Sequence, residues 1–345
     1  MTPTPRLVVP LVLLLAACEH TTPFAIGTYT PTGPLTSGNP VRLTYNAGVD
    51  AWPAWLPDGS AFIYTQGQVD RVDHDQCLAV MPAGGGTILQ TICAASDPDS
   101  DTLNVYQSAS VSRDGHLAYV RFSTFANVGR ASPDYGQLVL ATYAQPLATT
   151  VLEPLSYFGP SHQSVDDVRD IRWVGPSTLA YVAEQVTYTC SNFGCTTTDT
   201  SVAGLEVETL DYSTSPPALT SVPNTALATS LAAGAADTIY FTLLGQGQVH
   251  RRILSTGSDT VLVDFGTPAT DLALSGTRIA VVLGSTLRVV DLTTGFDQSY
   301  ALAGTNIHHP ALSPDGHHLV AETAPVDAVS MRETTPTDLW MWSLP

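Results

Sequence analysis

The chain has 345 residues, of which thirteen are basic and thirty-one acidic, for a net charge of −18 at neutral pH. Every basic residue is an arginine and no cluster is richer than Arg251-Arg252. This argues against nucleic acid as a partner, because binding a polyanion needs a basic surface, and the lack of lysine excludes Schiff-base chemistry and a phosphate-loop lysine. With 44% hydrophobic and 13% charged residues, the composition is that of a globular chain with a large core.

The N-terminus opens with a targeting pattern. Leu7 to Ala17 form an apolar run behind Arg6 that ends in small residues. It is too short to cross a bilayer and has the layout of a secretory signal. The tetrapeptide Leu15-Ala16-Ala17-Cys18 resembles the lipobox of bacterial lipoproteins. That resemblance implies a signal peptide over residues 1–17 and a diacylglyceryl group on Cys18. It also implies a lipid-anchored envelope protein. Glu19, where Asp would favour inner-membrane retention, points to the outer membrane, facing the periplasm or the surface. Residues 18–40 are rich in Thr, Pro and Gly without apolar periodicity and read as a tether.

From residue 41 onward the dominant signal is a repeat. PAWLPDGSAFIYT (53–65), SASVSRDGHLAYV (108–120) and PALSPDGHHLVA (310–321) share one grammar: an apolar strand, an Asp-Gly turn and a second apolar strand. Weaker copies are DIRWVGPSTLAYVA (170–183), LAAGAADTIYFTL (231–243) and LALSGTRIAVVLG (272–284). Six units result, the shortest about forty residues, which suits four short strands and a propeller blade. The motif P-x-W-x-P-D-G with its partners is similar to the repeat of TolB-like and other WD-like propellers. The resemblance covers nearly all of residues 41–345 and implies an all-β, six-bladed β-propeller. It also implies that VRLTY at 41–45 supplies the fourth strand of the last blade, whose third strand is DLWMWSL at 338–344.

The cysteines other than Cys18 form two near-neighbour pairs, suited to disulfides in an oxidising compartment. In the first unit, strand c over Cys77 to Pro82 and strand d over Thr87 to Cys93 turn about Gly84-Gly85-Gly86, which sets Cys77 opposite Cys93. Cys190 and Cys195 flank a tight loop. Zinc is the rival reading, but the spacings are not those of zinc knuckles.

Chain direction gathers the long connections onto one rim: b–c loops near 66–76, 123–137, 184–203 and 322–337, and d–a loops at 94–107 and 152–168. Long loops on a rigid scaffold are where binding resides. Asp97, Asp99 and Asp101 have the alternating carboxylates of a calcium loop but lack its glycine and distal glutamate, so calcium is weighed against a solvated turn and no other cofactor is expected. The residues just before each strand a are expected around the channel mouth: Trp52, Ser108, Asp170 with its neighbour Arg169, Asp271 and His309, the fourth blade being ambiguous near Thr229. In His308-His309 and His317-His318, strand alternation should let at most one imidazole of each pair face a given site. No G-x-S-x-G nucleophile elbow occurs. The reading is of a monomeric, non-enzymatic module that meets a protein or glycan through the long-loop rim. The alternative is a metal-assisted hydrolase or lyase at the channel mouth.

Overall fold

The computed structural model describes residues 39–67, 76–94, 102–125, 135–154, 162–191, 194–199, 205–235, 237–334 and 336–345. Every regular element among them is a β-strand. The first is β1 (Val41–Arg42). Blade 1 follows as β2 (Asp50–Trp55), β3 (Ala61–Gln66), β4 (Cys77–Pro82) and β5 (Gln90–Ile92), and blade 2 as β6 (Thr102–Val111), β7 (His116–Phe125), β8 (Tyr135–Thr142) and β9 (Gln145–Pro154). Blade 3 is β10 (His162–Trp173), β11 (Thr178–Ser191), β13 (Leu205–Asp211) and β14 (Ala218–Ser221), with β12 (Gly194–Asp199) folded back on β11. Blade 4 is β15 (Ala228–Ala233), β16 (Thr238–Leu243), β17 (Gln248–Ile253) and β18 (Ser258–Asp264); blade 5 is β19 (Ala269–Ser275), β20 (Arg278–Leu283), β21 (Thr286–Asp291) and β22 (Asp297–Tyr300). Blade 6 contains β23 (Thr305–Leu312), β24 (His318–Pro325) and β25 (Asp338–Ser343), and β1 completes it. The chain is a six-bladed β-propeller.

Each blade is an antiparallel sheet, and in five of the six the turn between the first two strands places a left-handed residue where the chain reverses; the blade 3 turn through Gly175 does without one. Gly59, Gly115, Gly276 and Gly316 have φ between 57° and 80° at these turns, a region open to glycine without steric cost. In blade 4 the turn's glycine, Gly234, is not the left-handed residue, and Asp237 takes φ 69° instead. This explains why its repeat is weak in sequence yet regular in structure.

Six hydrophobic clusters fill the six interfaces between neighbouring blades. Ile63, Leu78 and Val80 of blade 1 pack on Tyr106, Leu117 and Tyr119 of blade 2. The ring closes where Phe62, Tyr64 and Met81 of blade 1 meet Leu43, Val320 and Met341 of blade 6. Closure is achieved by β1. Val41 and Arg42 pair antiparallel with Met341 and Trp340, Leu43 N–H donates to Leu339 O at 2.8 Å, and Arg42 meets Asp338 at 2.7 Å. The strand regular enough to be assigned is two residues rather than the five expected, although backbone pairing continues through Leu43.

Three other expectations are adjusted. In blade 1 the fourth strand is Gln90–Ile92, shorter than Thr87 to Cys93, yet the Cys77–Cys93 disulfide forms with Cα atoms 5.0 Å apart. Cys190 and Cys195 are register partners on β11 and β12, so the described part of the segment expected as a loop at 184–203 is two paired strands, 184–191 and 194–199. The connections expected at 94–107, 123–137 and 152–168 are likewise shortened, because β6, β7, β8, β9 and β10 extend into them.

Leu43 is fully buried, and replacing it with alanine removes a large part of what seals the ring. Leu43→Ala should cost about 2–5 kcal/mol. Leu89→Ala, at a side chain 64% exposed, should cost less than about 0.5 kcal/mol. Urea unfolding monitored by tryptophan fluorescence would measure both.

Candidate channel site

Strand a carries a β-bulge in every blade. The register slips between Ala51 and Ala54, Gln107 and Ser110, Arg169 and Arg172, Ala228 and Ser230, Ala269 and Leu272, and His308 and Ala311. In four blades the bulged residue is left-handed: Trp52 at φ 49°, Ser108 at 52°, Asp170 at 56° and His309 at 45°. None is glycine, and such a conformation in a bulky residue stores strain that the surrounding packing must hold. These are four of the expected channel residues. They lie inside strand a, however, not before it, because each strand begins earlier than expected. The residues therefore form a throat below the rim instead of a mouth.

Counting back from the a–b turn supplies the missing members. Ala54, Ser110, Arg172, Ala232, Ala273 and Ala311 pair with equivalent positions of strand b. Two residues earlier in each blade stand Trp52, Ser108, Asp170, Ser230, Asp271 and His309. The fourth-blade residue is thus Ser230 rather than Thr229. The shorter bulge of that blade, one residue instead of two, hid the offset. Arg169 pairs with Val182 in β11 and is not among the residues lining the throat. Asp97, Asp99 and Asp101 lie outside the described residues.

The throat is narrow. Trp52, Ser108, Asp170, Arg172 and His309 surround a space of about 10 Å³, on the order of one water molecule. Its charged groups are engaged with one another. Asp170 Oδ2 accepts from the Ser230 hydroxyl at 2.7 Å and from Leu231 N–H at 2.9 Å, while Oδ1 accepts from Arg172 at 3.1 Å. Ser230 Oγ in turn accepts from Leu272 N–H at 3.0 Å. One carboxylate thereby links blade 3 to blade 4, and one hydroxyl links blade 4 to blade 5. His309 Nδ1 lies 2.8 Å from Glu322, and its ring packs at 5.1 Å against Trp52.

The paired histidines depart from strand alternation. Because the bulge falls at His309, both imidazoles turn towards Asp271, with His308 Nδ1 and His309 Nε2 each 3.9 Å from one of its oxygens. Burial works against charging either ring. Asp271 and Glu333 outweigh it at His308, pushing its pKa up to about 9, and Glu322, Asp271 and Asp170 raise that of His309. The same contacts overcome burial at Asp271 and hold its carboxyl low. His308 also ties the b–c loop of blade 6 to strand a, through Glu333 at 2.8 Å. Among the described residues no group of three or more His, Cys, Asp or Glu side chains is placed to hold a metal ion.

Above the throat, Asp50 lies at the start of β2 and is fully buried. Burial pushes its pKa up to about 7; Thr44 and Asn46 oppose this with hydrogen bonds, and Asp338 and Glu322 add repulsion. Between about pH 4 and pH 7 an unfolded Asp50 has lost its proton while the folded one keeps it. The folded state then binds more protons, and stability falls as pH rises through that window. Calorimetry should show the wild-type Tm dropping relative to that of Asp50→Asn from pH 4 to pH 7, with the two profiles parallel on either side.

No family model matches the chain, and no curated protein does either. Solved structures do. The calcium-binding protein regucalcin from Agrobacterium tumefaciens superposes with a TM-score of 0.53 at 13% identity, covering 90% of this chain and 94% of its own. A luciferin-regenerating enzyme gives a TM-score of 0.52 at 10% identity, with coverages of 86% and 91%. At such identities the likeness is one of fold: this chain has the six-bladed propeller architecture that these proteins have.

Proposed function

We propose that the chain is an exported, lipid-anchored envelope protein of the TolB-like kind whose propeller binds a protein or glycan and is not an enzyme. The observation that supports this is one-sided elaboration. β6 and β7 have ten residues each, β10 twelve and β11 fourteen, against six or seven in the corresponding strands of blades 4 and 5. The extra residues lie at the start of strand a and the end of strand b. They project from the rim opposite the a–b turns, joined there by β12 and by the blade 6 loop, whose tip exposes Val329 and Met331. Ribbons and loops raised on a rigid scaffold offer adaptable contact surface.

The direction of β1 fits this use. It runs antiparallel to β25, so the chain enters the propeller on the face of the a–b turns. A lipid on Cys18, at the far end of the 18–40 tether, would hold that face towards the membrane and leave the rim pointing away. The throat also fits a binding module better than a reaction centre, since its carboxylates and imidazoles satisfy one another.

Photo-crosslinking in cell envelopes, with the full chain and with a variant shortened over 124–134 and 185–203, tests the reading. One discrete adduct should form with the wild type and vanish from the shortened variant while its melting temperature is kept. Equal adducts from both would refute it. The second reading, metal-assisted hydrolysis or elimination, rests on His309, Asp170 and Asp271 converging on the channel, and on the calcium-binding and enzymatic descriptions of the two structural neighbours. It requires a divalent ion at near-stoichiometric occupancy in elemental analysis of the purified full chain.

A further inference from the structure

Below the throat the channel widens. The six equivalent positions one step towards the a–b turns are Ala54, Ser110, Arg172, Ala232, Ala273 and Ala311, so five blades contribute a side chain of one or two heavy atoms and blade 3 contributes an arginine. The small residues leave a chamber of about 210 Å³, into which Arg172 opens. Its lining is mixed: Trp55, Leu274, Leu312 and Pro314 give it apolar side chains, and Ser110, Ser275 and Arg172 give it polar ones.

Arg172 has donors to spare. Its side chain is 24% exposed. It donates to Asp170 through one terminal nitrogen at 3.1 Å, and to the backbone carbonyl of Ile171 through the other at 3.0 Å. A guanidinium carries five N–H groups. Nor does Asp170 depend on Arg172, because its other oxygen already accepts two hydrogen bonds from blade 4. A single guanidinium beside apolar side chains matches the layout of a small-molecule site, where a few placed polar groups fix orientation and the apolar side chains take the ligand's body. Carboxylates suit the planar fork of arginine, and the pair strengthens where water is scarce.

We propose that this chamber binds a small organic carboxylate, its acid group on Arg172 and a compact apolar body against Trp55, Leu274 and Leu312. A dry cavity of roughly 150 Å³ admits benzene, so a single-ring acid such as phenylacetate is the size the chamber accepts. With about ten heavy atoms, such a ligand should bind with a Kd on the order of 0.1–1 mM. The proposal is independent of the rim and of any partner bound there.

Titration calorimetry and saturation-transfer NMR on the full chain, with phenylacetate and its neutral isostere phenylacetamide as probes, provide the test. Phenylacetate should bind saturably and the amide at least tenfold more weakly. Arg172→Met should abolish the preference for the acid. Ala273→Leu, which keeps the guanidinium but fills the chamber, should abolish binding of both. Melting curves report whether each variant is folded, and if Arg172→Met is not, Ala273→Leu with the acid-to-amide ratio of the wild type decides alone. Equal affinity for acid and amide, full binding by folded Arg172→Met, undiminished binding by Ala273→Leu, or no saturable binding of phenylacetate would each overturn the assignment.

Discussion

A radial stack of sheets has two ends, and unless they meet, each exposes one apolar face. In this chain the meeting is made by Val41, Arg42 and Leu43, which lie beside β25 nearly three hundred residues further on. The hydrogen bonds fix the register, Arg42 and Asp338 anchor one end, and Leu43 fills the cluster that joins the last blade to the first. All else in the channel follows, because the throat and the chamber beneath it exist only if six strands are held at one radius. Asp50 sits beside this closure, with Asn46 donating to both its oxygens and Thr337 exchanging backbone and hydroxyl bonds with it. The seal is therefore sensitive to the protonation of one buried carboxyl group.

The second organising device is the bulge. A bulge in strand a turns one residue per blade inwards out of alternation, and repetition sixfold turns a local irregularity into two stacked rings. The upper ring is polar and knits blades together through Asp170, Ser230 and the Asp271 pair of histidines. The lower ring is small apart from Arg172. Symmetry in the backbone with a single exception in the side chains gives an otherwise uniform channel a polarity of its own.

Much of the architecture can be read from the sequence because it is encoded locally. Asp58-Gly59 and Asp114-Gly115 determine their hairpins within a few residues, the spacing of such turns counts the blades, and Cys77 and Cys93 are symmetric about a glycine turn. The closing strand could be anticipated from the resemblance of the repeat to that of TolB-like propellers, which implies that VRLTY joins the last blade beside DLWMWSL. What could not be read depends on neighbours distant in sequence. Strand alternation misplaces His308 relative to His309, since the bulge between them is set by pairing with β24. Ser230 is invisible to alignment on Trp55 because blade 4 bulges by one residue. The extensions of β10 and β11 look like loops until their mutual pairing is known. Arg172 looked like a strand residue beside Trp173, and its singularity emerges only when the six equivalent positions are compared.

The closing strand also imposes an order in time. β1 is the first part of the propeller to be synthesised, and β25, its sheet neighbour among the described residues, is the last of the described strands. For the whole of that interval Val41 and Leu43 have nowhere to dock and the inner face of blade 1 lies open. Domains of high contact order wait longest for such contacts and are exposed to misassociation meanwhile. A chain built this way gains a closed ring with no exposed blade face at the end of folding, and depends until then on whatever shields its first strand.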